Sequence, residues 1–341
     1  MKKLTGLFLI TGLFIIFGFT SIVMADSVKK KYTLHLATQM PISHTITKAA
    51  NLMATRADEL SGGKIKIVVH GGGSMFKDRE IPEATMSGGC DLGISTANTW
   101  GKHARGMSCF EVPFLIPPSV STAKFVQETV DLFGKTLFAK GGKLLSYAYY
   151  GDLDGMVTAK IQVKKPGDVK GLKLRIYDRS LVAGLKANGA APVVMSSKEV
   201  YIGLQRGVLD GAMSGISSVV HRKWMEVCDY VLVIPYFVCR PAHPFPIVMN
   251  RFVWQKMEPA AQKIITQVAE EARQFTAEDV KKAAKKNLAL LQSKVTVYEL
   301  VVGSPEWKEW QVALGVPGKK KFLEDNPKVG PQVIAIIDRL K

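Results

Sequence analysis

Apolar and polar positions alternate with period two over residues 32–37, then recur every three to four positions over residues 46–60. This predicts a strand followed by a helix. Ser61-Gly62-Gly63 ends that helix, because glycine accepts the left-handed backbone of a helix terminus. A second strand over residues 64–70, a short helix over 81–88 and a third strand over 91–95 give a βαβαβ order, the mark of a sheet covered by helices. A helix over 121–138 and a strand over 143–149 extend it.

The pattern then restarts. Pro166-Gly167-Asp168 is turn chemistry and Gly171 closes a second bend. Leu172, Leu174 and Ile176 alternate with Lys173, Arg175 and Tyr177, so a short strand carries Arg175 on the side away from its apolar positions. A helix over 180–188 and a strand over 192–194 follow. Ser196 and Glu199 have capping-box spacing for a helix that runs to Gln205 and stops near Gly207. A strand over 208–213 holds Asp210-Gly211. Residues 259–293 read as one helix, with Pro259 in its first turn and an apolar stripe of Ile264, Val268, Ala272, Phe275 and Val280. At 1.5 Å per residue it extends roughly 50 Å, more than one small lobe, with Thr276-Ala277 as a candidate kink. A strand over 295–301 and helices starting near Ser304-Pro305-Glu306 and Pro331 complete the chain. No repeat or low-complexity linker separates the parts, so strands must cross between lobes. The expected fold is α/β with two lobes: residues 26–150 plus about 237–275, and 151–236 plus parts of 276–341.

The N-terminus sets the compartment. Met1-Lys2-Lys3 is basic, residues 4–24 are apolar apart from small hydroxyl and glycine residues, and Val23-Met24-Ala25 resembles a signal peptidase site. Cleavage near Ala25 is expected over retention as a membrane anchor, although the apolar run is long enough to span a bilayer. No cysteine near the cut supports a lipoprotein. The mature product is thus expected to be exported, periplasmic and soluble, and too long for one typical core.

The net charge of +17 comes largely from dispersed lysines such as Lys281-Lys282, Lys285-Lys286 and Lys319-Lys320-Lys321. There is no nucleic-acid signature with interleaved aromatics, and the charge reads as a solvated surface that also draws in anions. Cys90, Cys109, Cys228 and Cys239 form no CxxC pair. A Cys228–Cys239 disulfide and buried free thiols both remain open.

Catalytic signatures are missing: there is no HExxH, G-x-S-x-G or P-loop, and no GxGxxG after a strand. Gly71-Gly72-Gly73 lacks the lysine and spacing of a phosphate loop. His243, between prolines, reads as a loop residue near a cleft in preference to a zinc ligand. Asp152 and Asp154 read as loop solvation in a turn, not as paired catalytic carboxylates. Arg175 is the strongest candidate. A planar guanidinium offers a carboxylate two charge-assisted donors at once, whereas the bland alternative is a solvated arginine on an edge strand.

The order and spacing of these segments resemble the extracytoplasmic solute-binding proteins of the tripartite ATP-independent periplasmic (TRAP) transporters. The residues that carry the likeness are Pro166, Asp168, Lys170, Gly171, Lys173 and Arg175, then Glu199, Val200, Tyr201, Leu204, Gln205, Gly207, Asp210 and Gly211. His44 after the first strand, Gly88, Asp91 and Leu92, and Val112-Pro113-Phe114-Leu115 extend it along the mature chain. The resemblance implies a two-lobed periplasmic-binding-protein fold with hinge strands and a long helix spanning both lobes. It implies no enzyme activity and no cofactor. Arg175 would bind a carboxylate of a small organic acid between the lobes, and delivery would be to a TRAP membrane permease driven by an ion gradient. A monomer is expected. An exported sensor module and an exported hydrolase are the alternatives.

Two positions depart from the family pattern. Ser214 stands where many relatives have a ligand-binding asparagine, and Gly155 where many have a second arginine. Other candidate lining residues are Ser95, Thr96, Asn98 and Trp100 in the loop after the third strand, where open α/β sheets place ligands. Ser197, at a helix N-terminus, and His44 are further candidates. Tyr150, Tyr177, Tyr236, Phe237 and Phe245 are candidate aromatic walls. One arginine and several aromatics suit a monocarboxylate with an apolar or aromatic body.

Overall fold

The structure, a computed structural model, describes residues 27–151, 154–238 and 243–341. The expected signal peptide, Asp152 and Cys239 lie outside the described residues. In chain order the first group of elements is β1 (Tyr32–Thr38), α1 (Thr45–Ser61), β2 (Ile65–His70), α2 (Ile81–Ser87), β3 (Leu92–Ile94), α3 (Thr122–Lys140) and β4 (Gly142–Tyr149). There follow β5 (Asp154–Thr158), β6 (Lys173–Ile176), α4 (Leu181–Ala187), β7 (Ala191–Val194), α5 (Val200–Gln205), β8 (Gly211–Gly215), α6 (Ile216–His221) and β9 (Tyr230–Ile234). The last are β10 (Pro244–Asn250), α7 (Arg251–Lys256), α8 (Pro259–Gln292), β11 (Thr296–Glu299), α9 (Pro305–Trp310), α10 (Val316–Asp325) and α11 (Gly330–Arg339).

Two sheets organise the lobes. The first runs β2-β1-β3-β10-β4, the second β11-β9-β5-β8-β6-β7. β1 pairs in parallel with β2 and β3, while β10 returns antiparallel between β3 and β4. In the second sheet β5 lies antiparallel between β8 and β9, and β6 lies parallel between β7 and β8. The chain leaves the first sheet after β4 and returns to it at β10, so strands make the crossings.

α8 is one helix over 34 residues, about 50 Å long. Its first half packs Ala261, Ile265, Val268 and Ala272 into the core beneath the first sheet. Its far end sets Leu291 among Val157, Val231 and Val233 of the second. The buried stripe is displaced by one position from the expected one at two points: Ile265 and Thr276 face the core where Ile264 and Phe275 were expected. At the anticipated kink, Thr276 Oγ1 accepts the Tyr149 backbone N–H at 2.9 Å and the helix continues. The C-terminal helices divide between the lobes. Trp307 and Trp310 of α9 join the second lobe's core, and Phe322, Val333 and Ile337 of α10 and α11 pack against Phe125 and Phe133 of α3 in the first.

Local differences from the pattern have physical causes. The Ser196–Glu199 box does not cap a helix. Glu199 N–H bonds Ser196 O at 3.1 Å in a turn, and α5 begins at Val200. Asp210 precedes β8 and does not lie inside it. Its N–H and Oδ2 bond the carbonyl and N–H of Lys173 at 2.9 and 2.7 Å, which pins β6 beside β8. Asp154, read as a turn residue, heads β5 and is buried. Cys90 and Cys228 are buried free thiols, and Cys109 is buried as well. No helix among the described residues is long and apolar enough to cross a membrane.

Candidate functional site

β6 is an internal strand, so its two faces have different fates. Leu174 and Ile176 enter the second lobe's core, and Arg175 emerges on the other face beside Ala212 of β8. The Arg175 side chain is only 5% exposed, which excludes the solvated edge-strand alternative. Its Nε donates to Met195 O at 3.0 Å and its Nη1 to Met213 O at 2.9 Å. These two carbonyls fix the plane of the guanidinium. Nη2 keeps no protein partner, and no carboxylate forms an ion pair with Arg175 among the described residues. Burial pulls the guanidinium down to about 10, still cationic at neutral pH.

Arg175 faces a cavity between the sheets. Ser197, Ser214, Thr96, Tyr150 and Tyr177 line it, as the sequence led us to expect of candidate ligand contacts. Phe245 stacks on Tyr150 with centroids 5.0 Å apart, and the Tyr150 hydroxyl donates to Ser218 Oγ. Thr96 is held by Asp78, whose two carboxylate oxygens take its N–H at 3.2 Å and its hydroxyl at 2.6 Å. Ser197 lies in the turn before α5, so its hydroxyl, and not a helix terminus, meets the cavity. A second, larger hollow shares Gln39, Thr96, Arg175, Tyr177 and Ser197 and continues the cleft past Asn98. Asn98 Nδ2 spans the lobes, donating to Asp178 Oδ2 at 2.8 Å and to Tyr177 O at 3.2 Å.

Five expected lining residues lie elsewhere. The loop after β3 forms a 3-10 turn over Ala97–Lys102, whose period of three puts Ala97 and Trp100 together on the inner face; Trp100 is fully buried in the first lobe's core. Ser95 turns to Thr99. Phe237 is drawn into the second lobe's core, because its carbonyl accepts the Phe114 N–H at 2.7 Å and its ring packs edge-on against Phe114. Tyr236, the residue before it, packs against the same core with φ 57°. His44 is buried as the N-cap of α1. Its Nδ1 accepts from Ile46 N–H, its Nε2 contacts Ser217 Oγ at 3.0 Å, and its ring stacks on Tyr150.

Gly155 admits no second arginine as the backbone stands, since a Cβ there would lie 2.0 Å from Leu232 O across β5 and β9. A second cation comes from elsewhere. Arg222, after α6, donates to Gln39 O at 3.4 Å and is near enough to Arg175 to depress its proton affinity. The sequence reading also missed Gln39, Met40, Glu111, Asp154 and Ser218 in the lining. Glu111 had a visible signal, a single carboxylate inside the apolar run 107–116. It is fully buried, and its Oε1 lies 3.0 Å from Nε2 of His243, another lining residue. Burial pushes the Glu111 carboxyl up, and the nearby His243 opposes the shift. Among the described residues no group of three or more His, Cys, Asp or Glu side chains is placed to hold a metal ion.

Two α/β lobes meeting over a polar cleft define the class: a two-lobed receptor for a small solute. Residues 36–322 match the family model of DctP, bacterial extracellular solute-binding protein, family 7, and the chain belongs to that family. Its members are binding proteins and not enzymes. The chain is similar to the 2,3-diketo-L-gulonate-binding periplasmic protein YiaO of Escherichia coli, 25% identical over 94% of each chain. It is also similar to the C4-dicarboxylate-binding protein DctB of Bacillus subtilis, 24% identical over 78% of this chain and 75% of the relative. Its fold matches that of a solute receptor of Bordetella pertussis binding pyroglutamic acid, with a TM-score of 0.82 at 18% identity over 90% of this chain and 99% of that one. A TRAP periplasmic solute-binding protein from Sulfitobacter with bound β-D-galacturonate gives a TM-score of 0.80 at 19% identity, over 90% of this chain and all of the other.

Proposed function

We propose that this chain captures a small organic acid by its carboxylate between the lobes and delivers it to a TRAP membrane permease. The observation that carries the reading is Arg175: a buried, oriented cation whose free Nη2 faces the cavity without a protein counter-ion among the described residues. A buried charge is costly unless paired, so the site is poised for an anion from outside. Ser197, Ser214, Tyr150, Tyr177 and Thr96 surround that anion. In this reading the first 25 residues are removed on export, and the mature protein works as a monomer in the periplasm. The lobes, residues 26–150 plus about 237–275 and residues 151–236 plus parts of 276–341, close on the solute as units. The acids that the relatives and fold neighbours bind, from C4-dicarboxylates to galacturonate and pyroglutamate, support a carboxylate as the common feature.

Calorimetric titration with such acids tests this. Arg175→Ala is expected to weaken binding by about 2–5 kcal/mol, at least roughly 30-fold. Its melting temperature should stay close to that of the parent. Arg175→Lys also weakens binding, because a point charge lacks the planar fork. An unchanged titration of Arg175→Ala contradicts the reading.

A further inference from the structure

The cavity has two poles. On β8, Arg175 pairs with Ala212 through β6 and Asp154 with Gly215 through β5, so the two lie three residues apart along that strand while lining one space. Glu111 enters the same space from the first lobe. The Arg175 end offers donors. The far end is acidic: Glu111 and Asp154 are buried there at 0% and 2% exposure. Glu111 Oε1 lies 3.0 Å from His243 Nε2, and neither carboxylate oxygen has a hydrogen-bond partner among the described residues. With Oε1 turned to His243, Oε2 is the acceptor left open. A buried acceptor left unmatched costs about 1–3 kcal/mol, and more when it carries charge. No protein group fills that role among the described residues, which leaves Oε2 open to the occupant of the cavity.

Resting on the reading above, we propose that the solute is a monocarboxylate that also carries an N–H or O–H donor, received by Glu111 Oε2. Glu111 is then the residue that sets specificity, and His243 the positioning residue that holds it. The same pole rejects a second carboxylate, since a dianion reaching from Arg175 would bring its far charge against Glu111 and Asp154. The solute class thus differs from the C4-dicarboxylates named for one of the relatives.

The test is a thermal-shift and calorimetric panel of matched acids. The pairs are pyroglutamate and its ring-oxygen lactone analogue, lactate and propionate, and 2-hydroxyisovalerate and 2-oxoisovalerate, with succinate as the dianion. The strongest ligand is expected to bear a donor and to bind at least about tenfold tighter than its donorless partner. Glu111→Met is expected to bring the two partners within about threefold of each other. Arg175→Ala should weaken both and keep their ratio. A donorless acid or succinate as the strongest ligand overturns this inference; if that binding still depends on Arg175, the carboxylate reading survives. A 2-oxo acid preferred over its 2-hydroxy partner also overturns it, because Oε2 would then carry the proton. No response to any donor-bearing acid overturns it too, and no response to any carboxylate defeats both readings.

Discussion

At Arg175 the fold keeps a cation out of water and commits Nε and Nη1 to the Met195 and Met213 carbonyls, so one edge of the guanidinium remains for a ligand. The charged form is the one that binds a carboxylate. Because burial lowers its proton affinity to about 10, the cation is fully present below that pH and is lost as pH rises through it. Affinity for the solute is therefore expected to be level from about pH 6 to 9 and to fall above pH 10, while a surface arginine of ordinary, higher proton affinity would show no such fall. Calorimetry across that range, with folding monitored by circular dichroism, checks it. Arg175 was legible in the sequence because it interrupts a period-two strand on the polar side, beside turn residues that fix the strand's ends. Glu111 left a trace, a carboxylate inside an apolar run, whereas Asp154 was hidden in a stretch that reads as a solvated turn and Gln39 at the polar end of a strand. Only the meeting of two lobes turns those positions toward a shared cavity.

Among the elements, α1 and its cap join the lobes. His44 Nδ1 accepts the Ile46 N–H, and Nε2 reaches Ser217 of α6, so the neutral ring serves both contacts. Burial, with His221, Arg222 and Lys48 nearby, holds His44 well below its ordinary value of 6.5. Below pH 6.5 the unfolded chain takes up a proton that the folded chain refuses, so this stability is present above that pH and is lost as pH falls. The melting temperature is expected to drop between pH 7 and pH 5, and His44→Asn, which keeps an acceptor for the cap without titrating, should flatten the drop. An unchanged slope in His44→Asn contradicts the assignment. The elements with clear periods were found to within a few residues. The helices α6, α7 and α10 were missed, and so were the strands β5, β9 and β10, which are almost entirely buried, so no alternation marks them. β10 is further disguised by Pro244 and Pro246, tolerated there because β3 pairs only with Ile247, Val248 and Met249.

In the whole molecule, binding is a matter of bringing the sheets together. Asn98 bonds Tyr177 O and Asp178, Lys198 reaches Gly73 O, and Arg222 reaches Gln39 O; each contact joins a residue of one lobe to the other beside the cavity. These contacts close the cleft, and a solute favours closure only through interactions that differ between the open and closed forms. Arg175 and Glu111 supply such interactions, because a ligand held at both poles bridges β6 of the second lobe and the Met107–Glu111 turn of the first. The most direct measurement is a crystal structure of the protein with the solute that it binds most tightly. The account predicts a carboxylate within hydrogen-bond distance of Arg175 Nη2, enclosed between the two sheets. A solute bound outside that cavity, or inside it with its carboxylate away from Arg175, would contradict the account.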